Sequence, residues 1–306
     1  NTAGVNIQSG FGVHDLFYVR GFESLTGGLV LTDGAVEPEV SFYNLYNVER
    51  VETLRGPAAF LYGGNPLSGA VNLVRKAPRF ANFGSFNVSY GAFQTNRGMV
   101  DLGWSEGNEI AFRLNGLWRD SESYRDEKDN TTIAINPSLR WRADDNVTID
   151  LSFEYADMEY ISDSGLPLVN GALPPNVPRT QSYQSPFDIS EQTTLRARFG
   201  LTAELSDSVT LRNRAYFTDL DWLTDGTLFV GAFPIESGAW HTARTLTSLD
   251  DEQRVQGNQL EALIRFETGA LAHTVLAGVE VTHLTDAFSL DVALLPTIDI
   301  FDPVET

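Results

Sequence analysis

The chain has 306 residues, 42% of them hydrophobic and 11% aromatic, with 26 glycines, no cysteine and a formal net charge of -20. The lack of cysteine excludes a disulfide framework and a thiolate metal site, and the negative surplus would repel phosphate, which excludes nucleic acid as a partner. No apolar run approaches the roughly 18 residues a membrane-spanning helix requires, so a membrane location has to come from strands.

In the first eighty residues, Val48, Val51 and Leu54 recur every third position with Glu49, Arg50, Glu52 and Arg55 between them. That spacing predicts one or two amphipathic helical turns, ended by Gly56-Pro57 because proline cannot continue a helix. Gly63-Gly64-Asn65-Pro66 has turn chemistry, and Ala70 to Val74 reads as a buried strand. Arg20, Glu49, Glu52 and Arg55 sit among apolar residues. They suit a buried or half-buried ion network; the other reading is a set of solvated pairs worth little each.

From Phe83 onward the period changes to two. Phe86, Val88 and Tyr90 alternate with Ser85, Asn87 and Ser89, and the same alternation carries Val100 to Trp104, Ile110 to Trp118, Ile133 to Trp141 and Val147 to Tyr155. Leu195, Ala197, Phe199, Leu201 and Ala203 are interleaved with Thr194, Arg196, Arg198, Thr202 and Glu204. Later strands are expected over Val209 to Asp219, Val255 to Glu267 and Ala272 to His283. Each strand has one apolar face, while the other carries charge even deep in the strand. A soluble sandwich would bury the apolar face, whereas a porin-type barrel turns it to lipid and keeps polar side chains inside.

Connection length separates these architectures. Short turns at Ser105 to Asn108, Ala143 to Asn146, Ser206 to Ser208 and Thr268 to Ala270 alternate with long segments at Arg119 to Asn130, Ala156 to Gln192 and Leu220 to Arg254, and another begins near Thr285. Only Gly91 to Asn96 is brief on the long-loop side. Outer-membrane barrels have this asymmetry, with short periplasmic turns and long external loops. About nine strands emerge, an odd number that cannot close an antiparallel bacterial barrel, so the chain is expected to be part of a longer one.

No catalytic constellation emerges. His14, His241, His273 and His283 are scattered without zinc spacing. Gly63 to Gly69 lacks the Gly-Lys-Ser/Thr of a phosphate loop. Asp219, Asp221 and Asp225 have the wrong spacing for a calcium loop and no closing glutamate follows. The chain is therefore read as a non-enzyme, with no resident cofactor or metal.

The run Val48-Glu49-Arg50-Val51-Glu52-Thr53-Leu54-Arg55-Gly56-Pro57, continuing through Leu61-Tyr62-Gly63 to Gly69-Ala70-Val71-Asn72 and Lys76-Ala77-Pro78, resembles the plug motif of TonB-dependent outer-membrane receptors over about thirty positions. Ser68 stands where that family has the first glycine of a pair. Upstream, Phe17 to Phe22 and Leu31-Thr32-Asp33-Gly34 resemble the strand and turn preceding the motif, and Phe22 is most similar to the ferric-siderophore branch. The resemblance implies an all-β-dominated fold, a transmembrane antiparallel β-barrel that is partial and open in this chain, with an α+β plug domain. It implies a partial plug over 1–79 and the N-terminal part of the barrel over 80–306, against roughly 22 strands in a plugged transporter. It further implies a Gram-negative outer membrane, a ferric siderophore as ligand and the TonB-ExbB-ExbD complex as energy source. Another bulky nutrient (cobalamin, heme or a glycan) is the alternative cargo, and a passive porin the alternative class. The iron arrives already chelated. The apical plug loops would meet it, and Gln8, Phe42 and Tyr43 are the expected contacts. Arg20, Glu49, Glu52 and Arg55 correspond to charges the family places between plug and wall. The chain opens in what reads as mid-plug, and a signal peptide and TonB box are expected upstream.

Overall fold

The computed structural model describes residues 5–10, 14–19, 22–23, 30–38, 43–54 and 69–304. Strands β1 (Val5–Gly10), β2 (His14–Val19) and β3 (Phe22–Glu23) form a small antiparallel sheet. A second sheet is built from β4 (Val30–Thr32), β5 (Ala35–Val36), β6 (Val48–Leu54) and β7 (Ala70–Arg75), in the order β5-β4-β7-β6. β4 runs parallel to β7, and β6 antiparallel to it. Val30, Val71 and Leu73 are its small apolar core.

The helical turns expected over residues 48–55 are not formed. Residues 48–54 are strand, paired with β7 from Val48↔Arg75 to Leu54↔Ala70. Two turns of helix are too short to hold themselves together, and β-branched Val48, Val51 and Thr53 suit the open edge of β7. Tertiary pairing therefore overrides a three-residue spacing that spans only seven positions. Among the described residues there is no helix, so the α part of the expected α+β plug has no counterpart there.

The rest is one nine-stranded antiparallel meander, with every strand paired to its sequence neighbours: β8 (Phe83–Tyr90), β9 (Asn96–Glu106), β10 (Ile110–Glu122), β11 (Asp129–Asp144), β12 (Val147–Tyr160), β13 (Ile189–Ser206), β14 (Val209–Pro234), β15 (Trp240–Thr268) and β16 (Leu271–Asp299). The apolar members of the alternation lie on the outer face. Phe112, Leu151 and Phe199 are exposed there, as are Trp104, Trp118 and Trp141. Trp141 pairs with Ile110, and Trp118 lies eight steps further along β10. At ~3.4 Å per residue this is about 27 Å along a tilted strand, which matches the ~25 Å apolar band and aromatic girdles of an outer-membrane barrel.

The last three strands are much longer than the expected segments. The region 220–254 is no loop: β14 has 26 residues and β15 has 29, whereas ~9–11 cross a bilayer. The apolar positions also change face along β14, from Phe217 outside to Leu220 and Trp222 inside, both buried. Past the apolar band the outer face becomes acidic at Asp219, Asp221 and Asp225. The alternation that marks a lipid-facing strand stops there, while the backbone ladder continues.

The second sheet packs against the inner face of the meander. Ala35 lies with Tyr216 and Val255, and Tyr46 with Leu117 and Ala134. Gly257 makes room for the first contact: a Cβ there would come within 2.3 Å of the Tyr216 ring. That ring's hydroxyl donates to Glu280 at 2.9 Å. Gly257→Val should therefore push Tyr216 off Ala35 and cost about 1–3 kcal/mol by overpacking, read as a lower thermal midpoint of the refolded full-length protein. Gly231→Val, with nothing within 4 Å of its Cβ, is the control. Equal midpoints would show that Tyr216 does not anchor the hairpin.

Candidate functional site

The described residues concentrate their buried charge where the second sheet meets the wall. The β4–β5 turn is tight, with both Asp33 (φ 51°) and Gly34 (φ 84°) left-handed, the geometry an Asp-Gly pair favours. Asn72 accepts the Gly34 amide at 3.0 Å, and Asp33 accepts the Arg75 amide at 2.9 Å. This fixes Glu37, just beyond β5, with its carboxylate sealed from solvent. Arg196 and Arg198 occupy alternate positions on β13, so both face inward. Arg196 Nη2 reaches Glu37 at 2.7 Å and Arg198 Nη2 reaches it at 2.9 Å.

The alternation of charge continues along the interface. Glu154 of β12 accepts from Arg75 at 2.9 Å and lies 3.4 Å from Arg196. Tyr46 Oη and Asn47 Nδ2 also donate to Glu154, at 3.3 and 3.0 Å, and Asn47 donates to Asn136 at 3.2 Å. Arg198–Glu37–Arg196–Glu154–Arg75 thus crosses repeatedly between sheet and wall. Burial alone would raise the Glu37 carboxyl, but Arg196, Arg198 and Arg75 outweigh it and hold the group down at about 2. Nearer the short turns, Asp101 joins Lys76 at 3.2 Å to Arg113 at 2.8 Å, and Arg113 also donates to the Ala77 carbonyl. In such a chain each charge is desolvated and repaid only by its neighbours, so removal of one member is costly.

Glu49 and Glu52, singled out in the sequence, fall elsewhere. Glu49 pairs with Arg79 at 3.0 Å and Glu52 with Arg50 at 2.8 Å, both pairs open to solvent on at least one side. The Glu52 carboxyl is lowered by its hydrogen bond from Asn72 and then by Arg50. Arg20, Arg55 and Phe42 lie outside the described residues, and only the backbone of Gln8, in β1, is described. Tyr43 is half-buried, packs on the Val30–Leu73 core and borders a small cavity walled by Arg75, Glu154 and Arg196. Two signals for the buried chain were visible in sequence. Arg196 and Arg198 stand deep in an otherwise apolar alternation, and Glu154 lies between Phe153 and Tyr155.

At the other end of the meander, segment 161–188 is folded onto the projecting strand ends. Arg125 bonds Asp163 at 2.7 Å and the carbonyls of Arg179 and Gln181, and Lys128 bonds the Ser162 carbonyl. Burial lowers the Lys128 amine to about 8, against the opposing pull of Asp188 and Asp163. Tyr183, Ile298 and Ile300 form a separate core beneath this segment. The connection is therefore a built cap.

Residues 1–70 match the model of the TonB-dependent Receptor Plug Domain. The chain carries the plug of a TonB-dependent receptor. The sheet described above that is locked to the inner wall lies largely within these residues, and the meander has the fold of the barrel wall of such receptors. The chain is 25% identical over 323 residues to the catecholate siderophore receptor Fiu of Escherichia coli K12, covering 98% of this chain and 42% of that protein. It is 26% identical to the ferrioxamine receptor of Yersinia enterocolitica, covering 87% of this chain and 38% of that one. The crystal structure of the ferric-catecholate import receptor Fiu from E. coli K12 in its open form superposes with a TM-score of 0.89 at 23% identity, covering 99% of this chain and 49% of Fiu. The chain therefore spans less than half the length of the relatives it matches.

Proposed function

We propose that the full-length protein takes up a ferric siderophore across the outer membrane, with energy supplied through TonB. The observation that carries this reading is the ion-paired plug sheet lodged against the polar inner wall, since a passive porin needs an open lumen. Ligand binding outside would shift the plug and present its N-terminal segment to TonB-ExbB-ExbD, a coupling of two sites. The siderophore class follows from the relatives, whose names describe catecholate siderophore and ferrioxamine receptors. In this reading residues 1–79 belong to the plug and 80–306 to the barrel. Gln8, Phe42 and Tyr43 remain the proposed apical contacts; of the charge network expected between plug and barrel, Glu49 and Glu52 pair with Arg79 and Arg50 instead, and Arg20 and Arg55 lie outside the described residues. Iron is cargo, already chelated, and no step of covalent chemistry is assigned to this chain.

The test is binding and uptake of a panel of ferric siderophores, cobalamin and heme by iron-starved cells expressing the parent protein, with and without TonB. Saturable binding of a ferric siderophore that survives loss of TonB, with uptake that does not, is the expected result. Uptake of cobalamin or heme alone would replace the cargo, and flux without TonB would replace the mechanism with a porin's.

A further inference from the structure

Between the plug and the inner wall, on the periplasmic side of the Glu37 cluster, lies a cleft of about 440 Å³. Its lining is cationic. Arg75, Lys76, Arg140, Arg198, Arg212 and Arg214 border it, with only Asp33 and Asp150 as carboxylates in the lining. Most of these cations are committed: Arg140 to Asp150 at 2.7 Å, Arg75 to Glu154, Lys76 to Asp101 and Arg198 to Glu37. Arg212 and Arg214 are not. Neither makes an ion pair or hydrogen bond with a described residue.

Their neighbours explain why they stay uncommitted. Arg214 stands opposite Gly200 on one side and the neutral Gln259 on the other. Arg212 stands opposite Glu261 on β15, yet Glu261 lies against Gly278, where its Cγ would be 3.3 Å from an added Cβ. Two further guanidinium nitrogens bordering the cleft, Arg75 Nη1 and Arg198 Nε, are buried without an acceptor. Among the described residues of a chain of net charge -20, four cationic groups thus keep spare donors around one cavity. Like charges so placed repel one another, and the arrangement is relieved by an anion with several oxygens, which guanidinium groups bind in forked geometry.

We infer that this cleft is a second binding station for an anionic ferric chelate, on a route to the periplasm between the plug and strands β11–β14. The inference rests on the uptake reading and narrows its cargo to ferric chelates of net negative charge, such as catecholates or carboxylates. Arg212 and Arg214 are the groups that hold the cargo there, after it leaves the external site.

The experiment uses Arg212→Gln/Arg214→Gln and Arg212→Lys/Arg214→Lys in the full-length receptor, in cells and outer-membrane vesicles. The probes are a triply charged ferric tris-catecholate and, if the receptor takes it, an uncharged ferric trihydroxamate. The Gln pair should bind the catecholate at the surface with unchanged Kd and transport it about tenfold more slowly, while the Lys pair restores at least half of the rate. Trihydroxamate uptake should be unaffected. Unchanged catecholate uptake in the Gln pair would overturn the inference, and so would an equal fall for both probes, which would make the arginines a plug support. If wild-type receptor binds no ferric siderophore, the uptake reading itself has failed, a result visible before any variant is compared.

Discussion

Glu37→Ala should be among the most damaging single substitutions in the described plug. It strands Arg198, whose remaining carboxylate is Asp33 at 3.8 Å, and leaves Arg196 only the 3.4 Å contact to Glu154. Removing one member of a buried ion chain costs about 3–5 kcal/mol, because the partners stay desolvated and unpaired. The loss should fall on plug docking rather than barrel assembly, since no wall ladder is touched. Amide hydrogen exchange should accelerate across β4, β5 and β7 while β9 to β13 keep their protection, and cells should become permeable to large antibiotics. Glu49→Ala, which breaks only an exposed pair, should change stability by about 0–1 kcal/mol. Equal effects of the two substitutions would remove the buried chain from the account of how plug and wall are held together.

The same carboxylate sets an acid limit. Its folded value of about 2 lies below the ordinary 4.5, so its contribution is fully present above about pH 4.5 and is lost as pH falls toward 2. By linkage the amount at stake is on the order of 3 kcal/mol. Plug exchange in the wild type should therefore rise through that window, and in Glu37→Gln it should be fast already at neutral pH and change less.

Much of this architecture was legible because a lipid-facing wall writes itself in sequence. Phe112, Leu151 and Phe199 alternate with polar residues, and the short turns at 105–108, 143–146, 206–208 and 268–270 fall where the structure has them. Legibility ended with the bilayer. Beyond Asp219 both faces of the hairpins are mixed, so 220–254 read as loop although every residue of β14 up to Pro234 belongs to a strand. The partner of the buried arginines, Glu37, was obscured for a different reason. Glu37, Glu154 and Arg196 lie more than a hundred residues apart in part, and nothing local distinguishes Glu37 from the solvated Glu49 or Glu52. Burial of a charge is decided by which chain segment arrives opposite it. The plug motif located the plug, but the residues that lock it are set by the wall.

Phe153→Arg separates the lipid-facing wall from any soluble sheet. Phe153 lies midway along β12, 41% exposed on the outer face, beside outward Leu151 and Tyr155. In water an arginine there would be harmless, or better than phenylalanine. At the bilayer midplane it should cost about 2–4 kcal/mol, because a charge is placed in hydrocarbon with no partner within reach. The next residue supplies the contrast. Ser152 faces inward, where it accepts from Asn136 at 3.1 Å and borders the cleft, so a long polar side chain there meets water and protein instead of lipid. The measurement is reversible folding of the parent receptor into phosphatidylcholine vesicles of fixed thickness. Phe153→Arg should lose the full amount in lipid, and Ser152→Gln roughly the ~1 kcal/mol of one hydrogen bond. Moving the arginine to Tyr155 and then to Asp157 should lower the cost stepwise, since each pair of residues carries the charge ~7 Å along the strand toward the headgroups. A flat profile would mean that this face does not meet a bilayer. The depth dependence, more than the size of any one value, is what a membrane-spanning wall requires.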